Sequence, residues 1–319
     1  MTKKFIIILI ALLVVFFGWK ALTNSKKSEP AIKSRLKVVT TTTMVTDLVR
    51  GVVGGYMDID PLMGVGVDPH LYKVSASDVM KLSDADLIFY NGLMLEGKMA
   101  EVFEKMKKRG VPVYAVSDSI PQDKLLGSDG VEGHPDPHVW LDAQLWGHCI
   151  DSVVQGASAA DYVHSGAYEE RGMALKNKYT KIHRWVQDRI KGLPISQRVL
   201  ITSHDAYNYF GKAYGFQVIG IQGISTASEA GLADIARVVD FIQQQKIPAI
   251  FVESSVAPNV IERISQDSGA TIGGELFSDA MGANGETYKA VDGQVFKLDT
   301  WEGAFKYNVD VILKNLEKG

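Results

Sequence analysis

Strand-length runs of β-branched and apolar residues alternate with amphipathic stretches along most of this chain, and no other feature restricts the fold as tightly. "LKVVTTTT" (36–43), "DADLIFYN" (84–91), "VPVYAVS" (111–117), "RVLITS" (198–203) and "PAIFVESS" (248–255) read as strands. "AEVFEKMKKRG" (100–110) and "LADIARVVDFIQQQ" (232–245) read as helices, the first closed by Gly110. This alternation predicts an α/β fold of mostly parallel sheets flanked by helices.

One segment breaks the alternation. From Tyr168 to Lys191 there is no proline and one glycine, and Leu175, Tyr179, Ile182, Val186 and Ile190 draw a single apolar stripe. A helix of that length runs about 36 Å. Gly192-Leu193-Pro194 stops it, and the strand pattern then starts afresh. The expectation is two α/β lobes, residues 30–165 and 194–319, joined by a long helix over 166–193. One more surface helix on a single large domain is the alternative. A faint repeat favours two lobes. "GVGVDPHLYKVSASDVMKL" and "GIQGISTASEAGLADIARV" both run from a Gly-rich turn through a polar stretch into a helix.

The N-terminus is different material. Lys3 and Lys4 precede fifteen uncharged residues, Phe5 to Trp19, and Lys20, Lys26 and Lys27 follow. A basic flank before an apolar run directs a chain to the membrane for export. The run is shorter than the roughly 20 residues of a spanning helix, yet Ala21-Leu22-Thr23 is a poor cleavage site. An uncleaved anchor is favoured narrowly over a cleaved signal. The only cysteine, Cys149, lies far from this leader, so no lipid-bearing cysteine follows it and no intramolecular disulfide is available. Without residues 1–29 the chain holds 29 basic and 36 acidic residues, a charge of −7. That balance disfavours nucleic acid and mildly favours cations.

Four side chains stand out: His70 in "VDPHLY", His138 in "PDPHVW", His204 in "TSHDAYNYF" and Asp279 in "GGELFSDAMG". Each follows a strand-like segment, and in open α/β sheets ligands bind where loops leave the carboxyl ends of strands. Three imidazoles and a carboxylate form a nitrogen/oxygen set that suits Zn²⁺ and accepts Mn²⁺ or Fe²⁺. Asp68, Asp136 and Asp205 lie beside the three histidines, as carboxylates that orient a ligating ring often do. Pro69 and Pro137 stiffen the backbone before two of them. The competing account is plain turn chemistry, since Asp-Pro starts turns and Ser203-His204-Asp205 is a plausible helix cap. Glu253, ending a strand, reads as an acceptor behind a ligand, or as the base of a metallohydrolase if the site kept an open position. His148 and Cys149 are helix neighbours that point apart, and His164 and His183 read as helix-surface residues.

At these residues the sequence resembles the metal-binding receptors of ABC importers for zinc, manganese and iron. The likeness runs from about Lys37 to the C-terminus through "GVDPHLY", "ADLIFYNGLMLE", "DPHVWLD", "HDAYNYFGKAYGF", "QGISTASEA", "AIFVESSV" and "IGGELFSDAMG". The resemblance implies two lobes bridged by one long rigid helix, with a divalent metal held between them by His70, His138, His204 and Asp279. It implies a monomeric carrier in the periplasm rather than an enzyme, delivering metal to a permease driven by a cytoplasmic ATPase. Two details bear on the cargo. Zinc-dedicated members often carry a long His-rich loop, whereas residues 125–138 offer only His134 as an extra. Many manganese-dedicated members have Glu where this chain has His204.

Overall fold

Parallel strands fill the first half of the chain, as the alternation predicts. The computed structural model describes residues 35–127 and 134–317. In chain order its first elements are β1 (Leu36–Thr40), α1 (Thr43–Val53), β2 (Met57–Pro61), α2 (Ala76–Ser83), β3 (Leu87–Tyr90), α3 (Ala100–Lys108), β4 (Val113–Ala115), α4 (Ala143–Ala160) and α5 (Ser165–Arg189). The strands form one all-parallel sheet in the order β2-β1-β3-β4. β1 is shorter than its threonine run. Thr42 accepts a hydrogen bond from Val45 N and caps α1, so the last threonines turn into a helix instead of prolonging the strand.

The predicted long helix is α5, 25 residues from Ser165 to Arg189. It buries Tyr179, Ile182 and Val186 of the expected stripe, half-buries Leu175, adds Tyr168 to the buried face, and lies against α1 and α4. Gly172 permits the close approach to α4, since a Cβ there would stand 2.7 Å from Val154 Cγ2. His183 corrects the reading of a surface residue. The buried face is wide enough to include it, and its ring lies 3.2 Å from the Tyr214 hydroxyl.

Beyond α5 follow β5 (Val199–His204), α6 (Asn208–Tyr214), β6 (Gln217–Gln222), α7 (Leu232–Gln245), β7 (Ala249–Glu253), α8 (Asn259–Ser268), β8 (Thr271–Leu276), β9 (Thr287–Lys289), β10 (Val295–Lys297) and α9 (Trp301–Leu316). β5 pairs with β6 and β7 with β8, both in parallel, and β5 lies alongside β7. β9 and β10 form a small antiparallel ribbon.

One hydrophobic core runs through both halves. It joins Val38 and Phe89 of the first sheet and Leu48 of α1 to Trp146, Tyr179 and Val186, and onward to Leu200, Phe210, Phe251 and Phe305. At about 1.5–3 kcal/mol for each large apolar side chain buried, this shared core is the main force holding the halves together. Cys149 lies inside it, a free and fully buried thiol. No helix among the described residues is long and apolar enough to cross a membrane. The leader at residues 5–19 lies outside the described residues.

Candidate metal centre

The two Asp-Pro-His motifs fold alike. Asp68 Oδ1 accepts the backbone N–H of His70 at 2.8 Å, and Asp136 Oδ1 accepts that of His138 at 3.0 Å. The aspartate closes a turn over the proline and fixes the histidine backbone. Turn chemistry and ligand placement are therefore one device here. Asp136 does more, because the same oxygen lies 2.7 Å from His138 Nδ1 and so sends Nε2 the other way. Its backbone carbonyl is held in turn by the Tyr209 hydroxyl at 2.9 Å.

His204 is the last residue of β5 and Glu253 the last of β7, so two adjacent strand ends bring them together. Glu253 Oε1 accepts the His204 N–H at 2.8 Å. Its Oε2 lies 2.5 Å from His204 Nδ1, off the line of an ideal hydrogen bond. This corrects the expectation for Asp205, which bonds to Asn208 rather than backing the His204 ring.

Asp279 follows β8 in a segment fixed from several sides. Asn308 bonds both Phe277 N and Phe277 O, Trp140 Nε1 donates to Ser278 O at 2.7 Å, and Met281 N donates to Thr43 Oγ1 at 2.9 Å. Trp140 also lies edge-on to His138, and its own carbonyl is held by Trp301 Nε1. Trp140 stands in the motif "PDPHVW" but no role was read for it, and nothing in the sequence pattern pointed to Asn308. Their partners lie 138 and 31 residues away.

All four predicted side chains meet. One ligand atom from each of His70, His138, His204 and Asp279 lies within 4.8 Å of the others, and all four residues are buried. His138 Nε2 stands 3.2 Å from His70 Nε2 and 3.3 Å from His204 Nε2. Asp279 oxygens lie 3.5 Å from His138, 3.3 Å from His204 and 4.0 Å from His70. A tetrahedral ion with bonds of about 2.0–2.1 Å to nitrogen separates its ligand atoms by roughly 3.3 Å. The histidine spacings match that edge length. Asp279 Oδ1 is buried with no hydrogen-bond donor, as expected of an oxygen reserved for a cation.

The electrostatics agree with this geometry. Burial, with His138 and His204 nearby, lowers the His70 pKa to about 2, so its ring stays neutral. Burial also opposes a charge on His204, but Glu253 and then Asp279 outweigh it and raise that pKa to about 10. The Glu253 carboxyl is correspondingly lowered by His204 against its own burial, and burial raises Asp279. Of the other histidines, His148 lies beside Lys124, His164 beside Asp161 and His183 beside Tyr214, each with a partner of its own.

Comparisons with known proteins show the family. The chain is 41% identical over 286 residues to zinc-binding protein TroA of Treponema pallidum, covering 88% of this chain and 89% of that protein. It is 38% identical over 311 residues to manganese-binding lipoprotein MntA of Bacillus subtilis, covering 95% and 97%. The solved structure of the periplasmic zinc-binding protein TroA superposes with a TM-score of 0.82 at 40% identity, over 89% of this chain and 99% of that one. The family described as ZnuA, zinc-uptake complex component A, periplasmic, matches residues 38–315, and the chain belongs to it.

Proposed function

We propose that this protein is an extracytoplasmic receptor that captures one divalent transition metal on His70, His138, His204 and Asp279 and delivers it to the permease of an ABC importer. The observation that carries the reading is the convergence of three Nε2 atoms and a carboxylate within 4.8 Å in a buried space. Neutral imidazole nitrogens 3.2–3.3 Å apart face lone pair to lone pair unless a proton or a cation lies between them. Zinc and manganese are the leading cargoes, the ions that the names of TroA and MntA carry, and Fe²⁺ suits the same donors.

Carriage fits better than catalysis. Four protein ligands complete a tetrahedral shell. Glu253, the carboxylate nominated as a hydrolytic base, has both oxygens turned to His204. The two lobes would comprise residues 30–165 and 194–319, with 166–193 as the linking helix, and the receptor would act as a monomer. The leader would hold it at the membrane, because the chain has no cysteine before Cys149 to carry a lipid. A cytoplasmic ATPase would drive the permease.

The test is elemental analysis of the full-length chain, purified without added metal and again after each ion is offered. About one zinc, manganese or iron per chain supports the reading. No uptake of any of the three would remove it.

A further inference from the structure

Three of the four candidate ligands are fixed by buried groups: His138 by Asp136, His204 by Glu253, and Asp279 by the bonds that Asn308 and Trp140 make to its neighbours. His70 is held differently. Among the described residues its Nδ1 has no carboxylate within 4.0 Å, and its anchor is the backbone bond to Asp68. It is also the most accessible of the four, at 7% against 0%, 0% and 1%. The loop that carries it leaves Gly64, Val65, Gly66 and Leu71 exposed. The metal's path to solvent therefore passes His70, and what holds this loop controls the path.

The other oxygen of Asp68 supplies that hold. Asp68 Oδ2 accepts the hydroxyl of Thr226 at 2.5 Å, from a residue 158 positions away in the loop between β6 and α7. Two residues before Asp68 the same loop nears another loop of the second half, just past β7, where a Cβ on Gly66 (φ +67°) would stand 3.6 Å from Ser254 O. One carboxylate thus grips the His70 backbone with one oxygen and the second half of the chain with the other. The two loops are the ones that the sequence repeat relates, and they meet across the mouth of the site.

We propose that Thr226 is a positioning residue whose bond to Asp68 latches the His70 loop shut and sets how slowly the metal leaves. The proposal rests on the metal-receptor reading and on His70 as a ligand. With the latch broken, the loop swings outward, His70 leaves the ion, and three donors remain. Entry occurs through the open form, so losing the latch accelerates release without slowing capture.

The experiment loads the purified full-length chain with zinc and follows its transfer to excess chelator by stopped flow, for the wild type, Thr226→Val and Thr226→Ser. Losing a hydrogen bond to a charged acceptor should speed release by about tenfold or more in Thr226→Val. Thr226→Ser, which keeps the hydroxyl, should restore the wild-type rate. Stoichiometry and the circular dichroism spectrum should match across the three, and association should not slow. Release from Thr226→Val within about twofold of wild type would overturn the latch, twofold being far below the effect of a lost charge-assisted bond. A comparable fold-fall in association rate would also overturn it, by marking general loop damage. A wild type that takes up neither zinc, manganese nor iron would remove the receptor reading and the latch together. A wild type that binds zinc beside an unaltered Thr226→Val would remove only the latch.

Discussion

His138 is the hub of the site, since its Nε2 lies within 3.5 Å of an atom from each of the other three residues. His138→Ala should therefore weaken metal binding by more than the roughly 10–100-fold that loss of an outer partner costs. It should leave the circular dichroism spectrum unchanged, and titration calorimetry would measure the loss. Wild-type affinity in this variant would end the four-ligand account. His204 governs the pH dependence. A folded pKa of about 10 means that the metal-free protein at pH 7 carries a proton on this ring. That proton must leave for Nε2 to bind a metal, whereas His70, at about 2, has none to lose. Binding should thus release about one proton at pH 7, and affinity should rise roughly tenfold per pH unit up to the His204 pKa. Calorimetry in two buffers of different ionisation enthalpy counts the proton directly, and a count of zero would contradict the assignment. Glu253→Gln removes the charge that raises the His204 pKa. It should lower the proton count as well as costing about 10–100-fold in affinity.

Strand ends do the placing at the scale of elements, and there a small residue decides whether it works. His204 ends β5 opposite Gln222 of β6, and Gly220 of β6 lies so near the turn that a Cβ would stand 2.4 Å from Asp205 Cα. Backbone cannot yield as a flexible side chain does. Gly220→Ala should destabilise the fold by about 1–3 kcal/mol and weaken metal binding by tilting the end of β5. Urea denaturation and a metal titration would measure the two effects, and an unaffected β5 would leave both at wild-type values. The same scale shows what the sequence disclosed. α7 was legible to the residue at Leu232–Gln245, because its apolar period is regular and no threonine or glycine competes. β2 (MDIDP) and β8 (TIGGEL) were not among the strands read, being short and interrupted by carboxylates or by paired glycines. The four candidate ligands were legible because two share a local Asp-Pro-His signature and all four follow strand-like segments, the same four that the likeness to known receptors implies. Of their supports, Glu253 was legible as an acceptor at a strand end, whereas Trp140 on Ser278 and Thr226 on Asp68 pair across 138 and 158 residues. No local pattern records a contact of that range.

His70 and His138 come from before α5, and His204 and Asp279 from after it. A bound ion therefore ties the whole molecule together at one point, while the core around α5 already ties it at many. α5 itself is bonded into the second half through Arg189 to Asp310 at 2.6 Å and Lys178 to Glu302 at 2.6 Å. A wide hinge opening would have to expose that core, so the motion that admits metal must be small and local to the loops over the site. Two consequences can be measured together. Because one core serves both halves, calorimetry of the metal-free protein should show a single unfolding transition for residues 36–319. Because the ion binds only where both halves are folded, zinc at a thousandfold above its dissociation constant should add about 4 kcal/mol of stability. It should move that one transition upward without splitting it, and His138→Ala should lose most of the shift. Two separate transitions, only one of them moved by zinc, would instead mean that the halves fold independently and that the metal is held by one of them.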